Sequence, residues 1–310
     1  MSISRATAAG TPAPTMEALG KGFHAFVQLD GSWGLNNAGV FVGDEGVVLI
    51  DTAFTAHRGR ALRDAVAALT DKPVRTVINT HHHGDHTYGN FLFPAATIIG
   101  HDLCREATIA SGFETQKWFP DVDWGDIRIT PPAVTFADSL TVWCDDMRTS
   151  LRFLGPAHTS NDVIAWVEEQ RLLFAGDLVF NGGTPFVVMG SIEGIIAALE
   201  QLDRLGAEVV VPGHGSVCGP EVIGRQLGYL RFVQETAADG FRAGLDPLEL
   251  ARRTDLGDFA GWTDSERLVG NLHRAYSELR GEPLGGPLAY DRIVDEMVEF
   301  NGGRPLHCVA

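Results

Sequence analysis

An apolar run, VRTVIN, leads directly into His81, His82, His83, Asp85 and His86, four imidazoles and a carboxylate within six positions. Imidazole nitrogens and carboxylate oxygens gathered this way suit zinc and other borderline divalent ions. Alternation along an extended segment turns His81 and His83 to one side, where they can grip one ion. It turns His82 to the other side, as a packing residue. Asp85 and His86, just beyond, can turn toward a second ion. One loop of this length cannot complete two sites, so the fold must deliver further ligands to the same edge.

Three such residues stand where further apolar runs end. His158 follows LRFLG in GPAHTSND, Asp177 follows LLFAG, and His214 follows EVVV in PGHG. Each lies on a glycine-flanked turn that lets the backbone approach a crowded centre. The remaining histidines, His24, His57, His101, His273 and His307, are isolated. They read as structural or surface groups.

The chain shows two similar strand–helix–strand units. GVVLID, a helix around His57–Leu69 and VRTVIN form the first; RLLFAGD, a helix around Ile192–Leu205 and EVVV form the second. Both place polar residues at the C-terminal ends of strands, where open sheets with helical crossovers build their sites. The order suggests two related halves packed face to face. Further strands are expected at Phe23–Leu29, Gly39–Val42, Thr97–Gly100, Leu140–Trp143, Leu151–Leu154 and Val163–Val167. Beyond Pro220 the spacing becomes helical, with Leu227, Leu230 and Val233, then Leu268, Leu272, Tyr276 and Leu279. The reading is a flexible tail over 1–15, a catalytic core over 16–219 and a helical extension over 220–310 packed on it. That extension could serve as packing, as a lid or as a dimer surface.

Composition narrows the partners. Forty acidic residues against 24 basic ones give a formal charge of -16, which argues against nucleic acid. Cys104, Cys144, Cys218 and Cys308 are scattered, with no CxxC and no disulfide framework. The opening MSISRATAAGTPAPTMEALG lacks the apolar stretch of a signal peptide, and no run approaches the ~20 apolar residues of a membrane span. A cytoplasmic protein without membrane contact is expected.

THHHGDH followed in order by PAHT, AGD and PGHG resembles the metallo-β-lactamase superfamily, over roughly Phe23 to Gly215. The resemblance implies an α+β fold, a four-layer αββα sandwich with a dinuclear site at one edge. It implies that His81, His83 and His158 hold one metal and that Asp85, His86 and His214 hold the other, zinc being the expected ion. Asp177 would bridge them, and Asp51 would orient a ligand histidine through its other ring nitrogen. Two close divalent ions lower the pKa of water from ~15.7 toward ~7 and polarise a carbonyl oxygen. The same Lewis acidity could instead stabilise an enolate. Asp85 and Asp177 are the candidate catalytic carboxylates.

Trp33, Phe113, Trp118, Phe119, Phe180 and Phe186 are the candidate pocket residues, with Trp124 beside them; together they suit a large flat substrate. Basic residues are sparse nearby, Lys117 being one, which disfavours a small, strongly anionic substrate. GPAHTSNDVIAWVEEQRLLFAGDLVFNGGTPFVVMGS, PPAVTF, ARRTDLGDFAGWTDSERLVGNLHRAY and FNGGRPLHCVA are similar to the thioesterase/cyclases of bacterial aromatic (type II) polyketide biosynthesis, of the actinorhodin second-ring type. That similarity implies aldol-type closure of a second ring on a poly-β-ketone presented by an acyl carrier protein, with or without thioester hydrolysis to release it. A general thioester or lactone hydrolase of the glyoxalase II type would share the seven ligands.

Overall fold

The computed structural model describes residues 13–310. Seven strands form the first sheet in chain order: β1 (Thr15–Gly20), β2 (Phe23–Val27), β3 (Ala38–Val42), β4 (Val47–Ile50), β5 (Val74–Ile78), β6 (Thr97–His101) and β7 (Val134–Phe136). The second sheet takes β8 (Ser139–Cys144), β9 (Met147–Phe153), β10 (Val163–Val167), β11 (Leu172–Asn181) and β12 (Val209–Gly215), in the spatial order β12-β11-β10-β9-β8. The helices are α1 (Ala56–Leu69), α2 (Gly84–Thr87), α3 (Asp102–Ser111), α4 (Ile192–Asp203), α5 (Glu221–Ala243), α6 (Pro247–Arg253), α7 (Arg267–Leu279) and α8 (Tyr290–Phe300).

The two-residue period of the strands sorts side chains into layers. Phe23, Ala25 and Val27 of β2, with Phe41, Val48, Ile50 and Ile78, face Leu151, Val163, Ala165, Leu172 and Phe174 of the other sheet. Their neighbours Phe26, Val40, Leu49 and Val77 point outward, onto Leu62 and Val66 of α1. On the far side, Ile164, Trp166 and Leu173 join Ile195, Leu199 and Leu202 of α4. The result is helix, sheet, sheet, helix, an α+β sandwich with each inward-facing aliphatic or aromatic side chain stabilising it by about 1.5–3 kcal/mol. Thr55 caps α1 by accepting from Arg58 N, and Ser191 caps α4 by accepting from Gly194 N.

Both strand–helix–strand units are present. β4 and β5 pair in parallel across α1, and β11 and β12 pair in parallel across α4, one unit in each sheet. The expected strands are found with end shifts of a few residues, while β1 and β7 had no expectation. Thr15 opens β1 rather than closing a tail, because Thr15–Ala18 pairs with His24–Val27; the remainder of the expected tail, over 1–12, lies outside the described residues. α5 to α8 follow the sandwich, with α5 and α7 sharing the hydrophobic cluster of α4. The apolar spacing in α7 misleads at its end, since Leu279 is exposed. Among the described residues no helix is long and apolar enough to cross a membrane.

Candidate metal centre

The centre lies at the sandwich edge where β4, β5, β11 and β12 end. His81, His83, His158 and Asp177 form one group of possible ligands, and Asp85, His86 and His214 form another. Asp177 stands between them. Its Oδ2 lies 3.3 Å from His158 Nε2, 3.9 Å from His81 Nε2 and 3.4 Å from His214 Nε2, while Oδ1 lies 3.0 Å from His86 Nε2. Asp85 Oδ2 lies 3.2 Å from His214 Nε2. The expectation that Asp177 and His214 follow their strands is corrected: both lie within β11 and β12 as these extend to Asn181 and Gly215. The register breaks between Gly176 and Phe180, and that irregularity turns the Asp177 carboxylate out of the ladder. Gly213 makes room for it, since a β-carbon there would fall 1.9 Å from Asp177 Oδ1.

The hydrogen bonds behind each imidazole determine which nitrogen faces the centre. His86 Nδ1 donates to Asp51 Oδ2 at 2.8 Å, and His214 Nδ1 donates to the Gly31 carbonyl at 3.1 Å. His158 Nδ1 donates to the Phe186 carbonyl. Thr80 passes its hydroxyl proton to Asp51 Oδ2 at 2.7 Å and so accepts from His81 Nδ1 at 3.0 Å. These four therefore turn Nε2 toward the centre. His83 is reversed, with Nε2 on the Met189 sulfur at 3.2 Å and Nδ1 on the inner side, 3.0 Å from His158 Nε2. Asp51 holds this pattern from a left-handed turn (φ +63°), and Thr80 N also donates to its Oδ1 at 2.8 Å.

Burial, assisted by the neighbouring imidazoles, pushes His81 and His83 well below the ordinary histidine range and His158 down to about 4. Their lone pairs are thus free at neutral pH. Burial also opposes the charged forms of His86 and His214. The surrounding carboxylates, Asp177 foremost, outweigh it and hold His86 well above its usual value and His214 at about 9. Asp177 and Asp85 are held low by these imidazoles against the same burial.

The donor set fits divalent ions. His81 Nε2 is a buried atom without a hydrogen-bond partner, and His86 Nε2 and Asp177 Oδ1 face each other at 3.0 Å without hydrogen-bond geometry, so a buried polar atom here costs free energy unless something else satisfies it. His82 stands apart as the alternation required, its N–H donating to Asn161 Oδ1 and its Nδ1 accepting from Asn161 Nδ2, both at 3.0 Å.

A cleft opens over the centre, lined by Trp33, Trp118, Phe119, Phe180 and Phe186, and by His83, Asp85, His158, Asp177 and His214 beneath them. Trp33 meets Phe186 edge-on at 5.0 Å, and Phe180 stacks on His214 at 5.2 Å. Phe113 is corrected: it is exposed, packs beside Tyr88, and does not line the cleft. Trp124 packs behind the wall on Phe54 at 4.7 Å. The expectation of few basic groups also changes. Lys117 is exposed and paired with Asp291, but Arg267 of α7 enters the lining, its guanidinium 3.9 Å over the Trp33 ring.

Several positioning residues carried no expectation. Thr80 and Asp162 sit close in sequence to the histidines they serve, and Asp162 accepts from Thr159 N and Ala157 N on either side of His158. Met189 and Arg267 are remote, and nothing local marks them.

The Metallo-beta-lactamase superfamily family model matches residues 31–214. The chain belongs to that superfamily. Curated relatives show how widely reactions differ within this similarity. The 2,4-dinitroanisole O-demethylase subunit alpha of Nocardioides sp. (strain JS1661) is 28% identical over 66% of this chain and 60% of its own length. The hydroxyacylglutathione hydrolase of Methylococcus capsulatus is 33% identical over 44% of this chain and 45% of its own. The atrochrysone carboxyl ACP thioesterase of Aspergillus fumigatus is 25% identical over 55% of this chain and 47% of its own. The matches thus span about half the length of these relatives.

Proposed function

We propose that this protein is a metal-dependent thioesterase/cyclase that closes the second ring of an acyl-carrier-bound aromatic polyketide and releases it by thioester hydrolysis. The observation that carries the reading is the aromatic wall of Trp33, Phe119, Phe180 and Phe186 standing directly over the His/Asp cluster. The sequence similarity to polyketide thioesterase/cyclases and the relative named as an ACP thioesterase support it.

His81, His83, His158 and Asp177 would hold one ion and Asp85, His86 and His214 the other, with Asp177 in contact with both groups. Ions held there would supply Lewis acidity for a carbonyl oxygen and an activated water. The protein's own groups do the rest. Asp85 lines the cleft as an ionised carboxylate able to accept a proton from the attacking water or from carbon between two carbonyls. The aromatic faces hold a flat acyl chain so that its reacting carbons meet. Trp33 is locked in that role by its Nε1–H bond to Glu266 at 2.7 Å and by Arg267 stacked on its face.

The test supplies purified protein with a bicyclic polyketide thioester mimic, with and without chelator. Cyclised or hydrolysed product in the untreated sample alone is expected; identical product profiles in both would overturn the proposal. The similarity to a hydroxyacylglutathione hydrolase favours a second reading, a general thioester hydrolase. Turnover of lactoylglutathione without turnover of the polyketide mimic would select it.

A further inference from the structure

α7 is buried almost all round, and one of its stripes is polar. Arg267, Asn271, Arg274 and Glu278 recur at intervals of four, three and four, one face of a helix. Each grips the backbone of the segment after β11, and the rungs follow in order. Arg267 Nη1 donates to the Thr184 carbonyl at 2.9 Å. Asn271 donates to the Pro185 carbonyl at 2.8 Å and accepts from Val187 N at 2.9 Å. Arg274 donates to the Val188 carbonyl through Nε at 3.1 Å and Nη2 at 2.6 Å. Glu278 accepts from Ile192 N at 2.7 Å and Glu193 N at 3.2 Å.

Between these rungs the segment touches the centre. Its Phe186 carbonyl takes the Nδ1 proton of His158, and its Met189 sulfur meets Nε2 of His83. Ser191 N donates to the Ala157 carbonyl at 2.8 Å, beside His158. A β-carbon on Gly190 would fall 1.9 Å from that same carbonyl, so the two backbones meet at a distance only glycine permits. The other group of ligands is oriented by different means, Asp51 for His86 and the Gly31 carbonyl for His214.

We propose that Asn271 and Arg274 are positioning residues for the ion held by His81, His83, His158 and Asp177. Acting through the Pro185–Met189 backbone, they fix the ring orientations of His158 and His83 and so set affinity at that group, leaving the Asp85/His86/His214 group untouched. This rests on the metal reading of the centre. It assigns the helical region a role that residues 31–214, the part shared with the family, cannot supply by themselves.

The experiment titrates metal-free protein with zinc against a chromophoric chelator, comparing wild type with Asn271→Leu and Arg274→Lys. Each binding event is assigned by its loss in His83→Ala or His214→Ala. Affinity for the His83-dependent event should fall about 10–100-fold, the usual cost of losing a ligand's orienting partner, and the His214-dependent event should stay unchanged. Leu62→Ala, in the α1 layer, serves as a control that lowers the melting temperature of the metal-free protein while leaving both affinities intact. Equal weakening of both events in the α7 variants, or no weakening, would overturn the proposal. Absence of any zinc binding by wild type would instead refute the metal reading itself.

Discussion

Asp51→Asn tests the electrostatic logic of the centre with almost no change in shape. Asparagine tolerates the left-handed backbone that Asp51 adopts, so the turn itself survives. Its remaining oxygen can still accept from Thr80 N, a bond of 2.8 Å in the wild type. Its amide nitrogen, however, would face Thr80 Oγ1 and His86 Nδ1, which now donate to Oδ2 at 2.7 and 2.8 Å. Two donors would oppose a third. Relief requires the Thr80 hydroxyl to turn its proton onto His81 Nδ1, and His86 to give up its Nδ1 proton. Both rings then carry hydrogen on Nε2, where the lone pair for an ion should be. His81 belongs to one ligand group and His86 to the other, so one substitution damages both. A loss of ~10–100-fold per group follows from such orienting partners, or about 1.4–2.7 kcal/mol each. Competition titration with a chromophoric chelator would read this directly. Two zinc ions bound to Asp51→Asn at wild-type affinity would refute the tautomer argument. Asp51→Ala should likewise remain milder than loss of a ligand.

Asp177→Ala should lower zinc content measured by elemental analysis and abolish thioester turnover, since its two oxygens approach both ligand groups. Trp33→Ala should raise KM for an aromatic thioester more than it lowers kcat, measured by steady-state kinetics, because it removes a cleft wall and no candidate ligand. Burial raises the Asp264 carboxyl to about 6 against the attraction of Arg267. A carboxyl whose folded pKa exceeds its unfolded value near ~3.9 favours the fold below that value, and the gain is lost as pH rises through 6. Asp264→Asn lacks this linkage. In urea unfolding of the metal-free protein, wild type should therefore lose roughly 2 kcal/mol relative to Asp264→Asn between pH 4 and pH 7.

The sandwich was legible because its central strands are short continuous apolar runs, buried on both faces, and its ligands stand in short motifs at the ends of those runs. The seven clustered side chains needed no more than the turns at THHHGDH, PAHT, AGD and PGHG. Phe113 misled because it shares a crowded aromatic stretch with Trp118 and Phe119, and only the path of the chain decides which rings face inward. α7 was read by its leucines, yet its function lies in the opposite stripe. Arg267, Asn271, Arg274 and Glu278 look in sequence like an ordinary solvated face, and nothing local reveals that a loop some eighty residues earlier lies along it. β1 and β7 escaped notice because both are edge strands and only partly buried, which weakens the apolar signal, and β7 has only three residues.

These side chains are expected to take two divalent ions. Zinc titration of metal-free protein, followed by gel filtration and elemental analysis, tests it most directly. Two ions retained per chain, falling to one or none in Asp177→Ala, is the predicted result; a wild-type protein that retains no ion at saturating zinc would contradict the account.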